Sequence, residues 1–233
     1  MSSSFIWNRD MVKILAIDTS THACSAALYI GGYVEERYQY APRLHGELLL
    51  TMVDELLASA KLAIKDIDAL AYGCGPGAFT GVRLATSAIQ GLSLGVNKPV
   101  VPISSLLAMA DAFYKRMGYS QVACAFDARM GEVYWGAYRF SQGEWVAEVP
   151  DCVLAPNQLN PLPRISGEWV GVGDGWASYR QELGNATGVE ESFERFYPHA
   201  ASVATLAAKR YAQGQYVNSQ ETILPVYLRN NVV

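Results

Sequence analysis

The sequence has no run of lysine or arginine, no CxxC pair, no apolar stretch of 18 residues, and only three histidines, His22, His45 and His199. Each absence closes a class of function. With a formal net charge of −4 and no clustered cations, the chain alone offers no electrostatic footing for nucleic acid, so any role on RNA must be shared with a partner. No two histidines stand four apart, so no helix can present a histidine pair to a metal. Cys24, Cys74, Cys124 and Cys152 lack metal or redox spacing, and the first three lie in apolar strand-like runs where a reduced thiol behaves as a small hydrophobe. This usage, with no membrane-spanning run, points to the cytoplasm. The first ten residues, MSSSFIWNRD, carry neither the basic region nor the apolar region of a secretory signal. Met11 is a second candidate start, which would leave residues 1–10 as a loose leader.

What is present is a globular composition. Of 233 residues, 51% are hydrophobic and 17% charged, enough for one large domain or two modest ones. The chain is organised around residues 68–95, DALAYGCGPGAFTGVRLATSAIQGLSLG, in which Arg83 is the only charge after the first position. Residues 69–74 are short, apolar and end in glycine, as a buried parallel strand does. Gly75, Pro76 and Gly77 permit a tight turn and close backbone approach. A helix is predicted from Phe79 to Gly95, with Gly81, Ala85, Ala88, Gly91 and Gly95 on one side beside Leu84 and Leu92. That small-residue face fits either tight packing on the chain's own sheet or a seam with a partner helix. Strand, turn and helix N-terminus also make a possible anion site. GxxxxGK[ST] is absent, so a P-loop is not indicated.

Upstream, residues 13–18 and 23–30 read as strands, and Gly31-Gly32 turns the second into a third, residues 33–40. Asp18, Thr19, Ser20 and Thr21 fall in the turn between the first two strands. There they form either a phosphate-loop candidate, the one cofactor-binding set in the chain, or a polar turn with a satisfied carboxylate. A helix follows through about residue 62, its leucines covering an arc of roughly 200° where a helix serving its own core needs little more than about 100°. Leu50, Val53 and Leu57 on this surplus face, with Gly81, Ala85, Ala88 and Leu92 on the next helix, are the predicted partner-binding residues. Beyond a strand at 100–103, Ser104 or Ser105 can cap a helix running toward Met117. A second strand-rich unit then repeats the opening: 122–126, a turn at 127–131, 133–140, 145–154, a proline-rich loop at 157–166, and a strand at 169–173. A helix at 201–213 and an extended tail at 225–229 close the chain. Strand, hairpin and helix recur in both halves, which suggests two related α/β domains facing each other across a cleft. The division is placed at residues 11–104 and 105–233, with the last segment able to pack back on the first domain.

Five stretches together carry a resemblance: ILAIDTSTHACSAAL, LHGELLLTMVDELLA, IDALAYGCGPGAFTGVRLATSAIQGLSLG, KPVVPISSLLAMA and the terminal PVYLRN. They are similar to the bacterial TsaB (YeaZ) family, strongly over 12–126 and more loosely beyond, with GPGAFTGVR the most specific element. The resemblance implies the actin/Hsp70/sugar-kinase (ASKHA) fold. It also implies membership in the machinery that makes threonylcarbamoyladenosine in tRNA, as the noncatalytic dimer partner of the paralogue TsaD, with the ATPase TsaE joining. Where that paralogue carries HHxxxH, this chain has Ser104, Ser105 and Met109, which cannot replace imidazole on a metal. The resemblance therefore implies no catalytic residues and no metal or tightly held cofactor on this chain, ATP and metal belonging to the partner complex. The surplus apolar helix faces predict a homodimer when the chain is alone, since an unsatisfied patch seeks any complement; the charge predicts contact with tRNA only through the complex, and the absence of an apolar span predicts no membrane. DARMGE at 127–132 resembles a turn of the paralogue and reads here as a hairpin turn with Gly131 at positive φ. Two other readings stand beside this one, a stand-alone small-molecule kinase using Asp18 to hold Mg²⁺, and a glycoprotease-like peptidase, for which no metal site or Ser/His/Asp set is evident.

Overall fold

The computed structural model describes residues 11–165 and 167–229; the leader expected over residues 1–10 lies outside them. Near the start, β1 (Lys13–Asp18), β2 (Ala23–Ile30) and β3 (Tyr33–Tyr40) form an antiparallel meander. Its tight second turn is made by Gly31 and Gly32 at φ of 53° and 104°, angles that side-chain-bearing residues rarely adopt. β4 (Ala69–Gly73) and β5 (Val100–Ile103) add in parallel, giving the order β3-β2-β1-β4-β5. Helix α1 (His45–Ala60) connects β3 to β4, and α2 (Phe79–Val96) connects β4 to β5.

The second sheet repeats this plan strand for strand. Its meander is β6 (Gln121–Arg129), β7 (Glu132–Ser141) and β8 (Glu144–Leu154), and β9 (Val170–Val172) and β10 (Glu191–Phe193) add in parallel, giving β10-β9-β6-β7-β8. The architecture is thus two related α/β domains of the actin/Hsp70/sugar-kinase kind. One part differs. Where the first domain has α1, the described residues of the second have a 3₁₀ turn at Pro156–Gln158 and no α-helix before β9, because Pro161 and Pro163 remove backbone donors that a helix would need.

Helices α3 (Ser105–Met117) and α5 (Ala200–Ala212) form the middle layer. Alanines make this possible: Ala16, Ala27, Ala69 and Ala71 on the sheet face Ala200, Ala204 and Ala207 on α5, all fully buried, so backbone approaches backbone closely. The opposite side of α3 puts Leu106, Met109 and Phe113 against Val122, Cys124, Val170 and Val172 of the second sheet. Ser104 caps α3 by accepting from the Leu107 amide at 3.2 Å, and Gly118 at φ 85° ends it.

On the outer face of the first sheet, α1 and α2 cover a core of Leu15, Ile17, Leu28, Leu70 and Tyr72. The surplus apolar arc expected of α1 is smaller than its sequence suggests. Leu49, Met52, Val53, Leu56, Leu57 and Ala60 are all buried in the chain's own core, and Leu50 alone of the helix's large apolar residues is plainly exposed, at 55%. Two elements have no counterpart in the sequence reading, β10 and α4 (Gly175–Thr187). α4 buries only Gly175, Trp176, Leu183 and Thr187, and is broken at Tyr179 by non-helical angles, so its apolar period is faint. Among the described residues no helix is long and apolar enough to cross a membrane.

Candidate functional site

The Asp18–Thr21 turn sits at the carboxyl end of β1, under the Gly75-Pro76-Gly77 turn that enters α2. Its side chains face inward and are bonded to groups of the chain itself, the arrangement of a polar turn with a satisfied carboxylate. The Ser20 amide (3.0 Å) and hydroxyl (2.8 Å) donate to Asp18 Oδ1, and Ser105 Oγ donates to Oδ2 at 3.4 Å. Thr19 Oγ1 donates to the Gly81 carbonyl at 2.6 Å, and Thr21 Oγ1 accepts the Ala23 amide at 3.4 Å. Asp18, Thr19 and Ser20 are at most 1% exposed and Thr21 is 9% exposed. Glycine is what lets the chain close over them. A Cβ on Gly73 would stand 1.8 Å from Asp18 Oδ2, one on Gly77 2.3 Å from the Ser20 carbonyl, and one on Gly81 2.0 Å from the Thr19 carbonyl.

Burial pushes the Asp18 carboxyl up to about 6, against the lowering effect of the Ser20 and Ser105 donors. Two carboxyls of the second domain follow the same pattern. Asp151 is raised by burial while accepting Ser104 Oγ at 2.6 Å and the Tyr138 hydroxyl. Asp174 is raised by burial while accepting the Asp127 amide at 3.1 Å. Each buried carboxyl is therefore engaged by donors of its own chain. Among the described residues no group of three or more His, Cys, Asp or Glu converges as a metal site would.

Ser105 and Met109 stand where the resemblance puts the paralogue's metal ligands. Both are fully buried. Ser105 Oγ accepts the Gly75 amide at 3.2 Å while donating to Asp18, and the Met109 methyl lies 2.9 Å from where a Gly173 Cβ would be. A hydroxyl committed to a carboxyl and a thioether packed against backbone fill the place of the ligands, so these residues do not fit a metal. The Ser104–Asp151–Tyr138 network is a part of the cleft that sequence reasoning missed, since its members are 34 and 47 positions from Ser104 and no local spacing joins them.

The predicted partner-binding set divides. Val53 and Leu57 on α1, and Gly81 and Ala85 on α2, are buried within the chain, so these four pack intramolecularly and are not on its surface. Within each pair the two residues are four apart and so share one arc of the helix. Leu50 is exposed, and Ala88 and Leu92 are partly buried at the edge of the core. Beyond them α2 offers an open stripe: Ser87, Gly91, Leu94 and Gly95 are exposed, and a Cβ added at Gly91 or Gly95 would meet nothing within 4 Å.

Comparisons with known proteins agree with one another. Residues 30–233 match the family model TsaD, described as tRNA N6-adenosine threonylcarbamoyltransferase. The chain is 42% identical to the tRNA threonylcarbamoyladenosine biosynthesis protein TsaB of Escherichia coli (strain K12), with 95% of this chain and 96% of that one covered. It is 40% identical to the protein of the same name from Haemophilus influenzae (strain ATCC 51907 / DSM 11121 / KW20 / Rd), with 95% of each covered. The solved structure titled "YeaZ from Pseudomonas aeruginosa" is similar at a TM-score of 0.87 and 41% identity, covering 94% of this chain and all of that one.

Proposed function

The chain belongs to the TsaB family of tRNA threonylcarbamoyladenosine biosynthesis proteins, and from that premise we propose that it serves this pathway as a noncatalytic partner subunit. Its place is as the dimer partner of a TsaD-like transferase, with a TsaE-like ATPase joining, in the cytoplasm where tRNA is modified. The observation that carries the reading is the state of the cleft. Asp18 and Ser105 are bonded to one another, Ser105 also to the Gly75 amide, and Met109 packs at Gly173, leaving no open nucleophile, no metal ligand set and no phosphate clamp among them. Catalysis of acyl or phosphoryl transfer requires donors aimed at developing charge, and here the donors are already spent on the chain's own carboxyls. ATP and metal therefore belong to the partner complex.

The surface offered to that partner is the outer face of the first sheet's helices, Leu50 on α1 and the Ala88, Leu92 and Gly91 region of α2. Small side chains let helices approach closely, and an apolar stripe without a partner associates with its own copy when no other is present, so the isolated chain forms a homodimer. The test is reconstitution: tRNA, threonine, bicarbonate and ATP with the cognate TsaD, TsaE and adenylate-forming enzyme, with and without this chain. Modified adenosine should form only with it. Full modification in its absence would sink the reading.

A further inference from the structure

Residues 223–229 form no regular element, yet they are bound at both ends to different domains. On the first domain the Ile223 amide donates to Gln90 Oε1 at 2.9 Å, the Tyr72 hydroxyl donates to the Leu224 carbonyl at 3.0 Å, and the Val226 amide donates to the Cys74 carbonyl at 2.8 Å. Arg83 of α2 then lies over the Phe79 ring, 3.6 Å from its centroid, and donates from Nε to the Tyr227 hydroxyl at 2.7 Å. Two residues later the segment is on the second domain. Arg229 meets the Glu132 carboxylate, the carbonyls of Ala128 (3.2 Å) and Arg129 (3.4 Å), and Met130 Sδ at 3.5 Å. These groups belong to the β6–β7 hairpin, whose turn residues Arg129, Met130 and Gly131 are all at positive φ. Met130 at the tip is 85% exposed, and the Arg229–Glu132 ion pair is what ties the hairpin to the tail.

We infer that residues 223–229 are a strap that holds the β6–β7 hairpin of the second domain to the β4–α2 corner of the first, and so sets how far the cleft can open. Between Val226 and Arg229 only two residues intervene, a span of at most about 10 Å, so the strap has no slack to absorb a hinge motion. The inference stands on these contacts alone and is independent of the proposed function.

Hydrogen exchange on the full-length chain tests it. Arg229→Ala should speed exchange in the hairpin amides at 128–132 by about five-fold, the effect of losing one charge-assisted anchor. The discriminating variant is Arg83→Ala/Gln90→Ala, which loosens the strap at its far end without touching the hairpin. A strap transmits that loss, so hairpin exchange should rise there too, while α1 stays unchanged. Hairpin exchange unaltered in the Arg83/Gln90 variant would overturn the inference, since the two ends would then be separate local contacts. An equal rise in α1 would also overturn it, as global loosening. Should Arg229→Ala fail to fold by circular dichroism, the Arg83/Gln90 variant decides the question alone.

Discussion

Asp18 illustrates what a single residue reveals and conceals in a sequence. Its position at the end of a strand before a hydroxyl-rich turn was legible, and two uses were open. The direction of its carboxyl depends on Gly73, Gly77 and Gly81 closing over the turn from 50 or more positions away, which no local pattern records. The inward placement has a measurable consequence. Since burial pushes the folded carboxyl up to about 6 from the ordinary aspartate value of 3.8, the folded state binds the proton that the unfolded state releases between those values. Stability from this group is therefore complete below about pH 4, falls as pH rises to about 6 and is constant above, a loss on the order of 2–3 kcal/mol. Asn at this position imitates the protonated acid, accepting from Ser20 and donating to Ser105. Asp18→Asn should therefore flatten the fall in urea-unfolding free energy between pH 4 and 6, and should be no less stable than the native chain at pH 7. A slope unchanged by the substitution would mean the carboxyl is not the titrating group.

At the scale of elements, nine of the ten strands described and four of the five helices were legible because their apolar residues recur with the right period and glycines or serines mark their ends. α4 was not, since Trp176 and Leu183 are nearly all the large apolar side chains it buries and they are seven positions apart. The composition of α2 showed that it makes close contacts, but periodicity alone could not divide the glycines between core and surface. The structure divides them, and opposite outcomes follow. Gly81→Ala forces a methyl 2.0 Å from the Thr19 carbonyl and should destabilise the isolated chain by about 1–3 kcal/mol. Gly91→Ala meets only open space and should stabilise it by about 0.5–1 kcal/mol through helix propensity. If α2's open stripe is the partner seam, Gly91→Ala and Ala88→Glu should nevertheless weaken co-elution with the transferase subunit, although Gly91→Ala is the more stable protein. A Gly91→Ala/Ala88→Glu chain that remains folded and still co-elutes would place the seam elsewhere.

The whole molecule carries the evidence of duplication, with two sheets of the same strand order and, among the described residues, no counterpart of α1 in the second domain. The repeated meander was legible, whereas the loss of a helix was visible only as prolines in a long loop. It also carries the charge balance. Each phosphate contact made by a protein releases condensed counterions, so the logarithm of affinity falls against the logarithm of salt with a slope of about −0.9 per contact on duplex and about −0.7 on single strands. A chain with net charge −4 and no basic cluster should add no such contacts. Binding of tRNA by the transferase subunit should therefore show the same salt slope with and without this chain bound, even if the affinity itself changes through positioning of the subunit. Fluorescence titrations of labelled tRNA at several salt concentrations measure both slopes. A slope steeper by one contact or more on adding this chain would show that it grips the RNA directly.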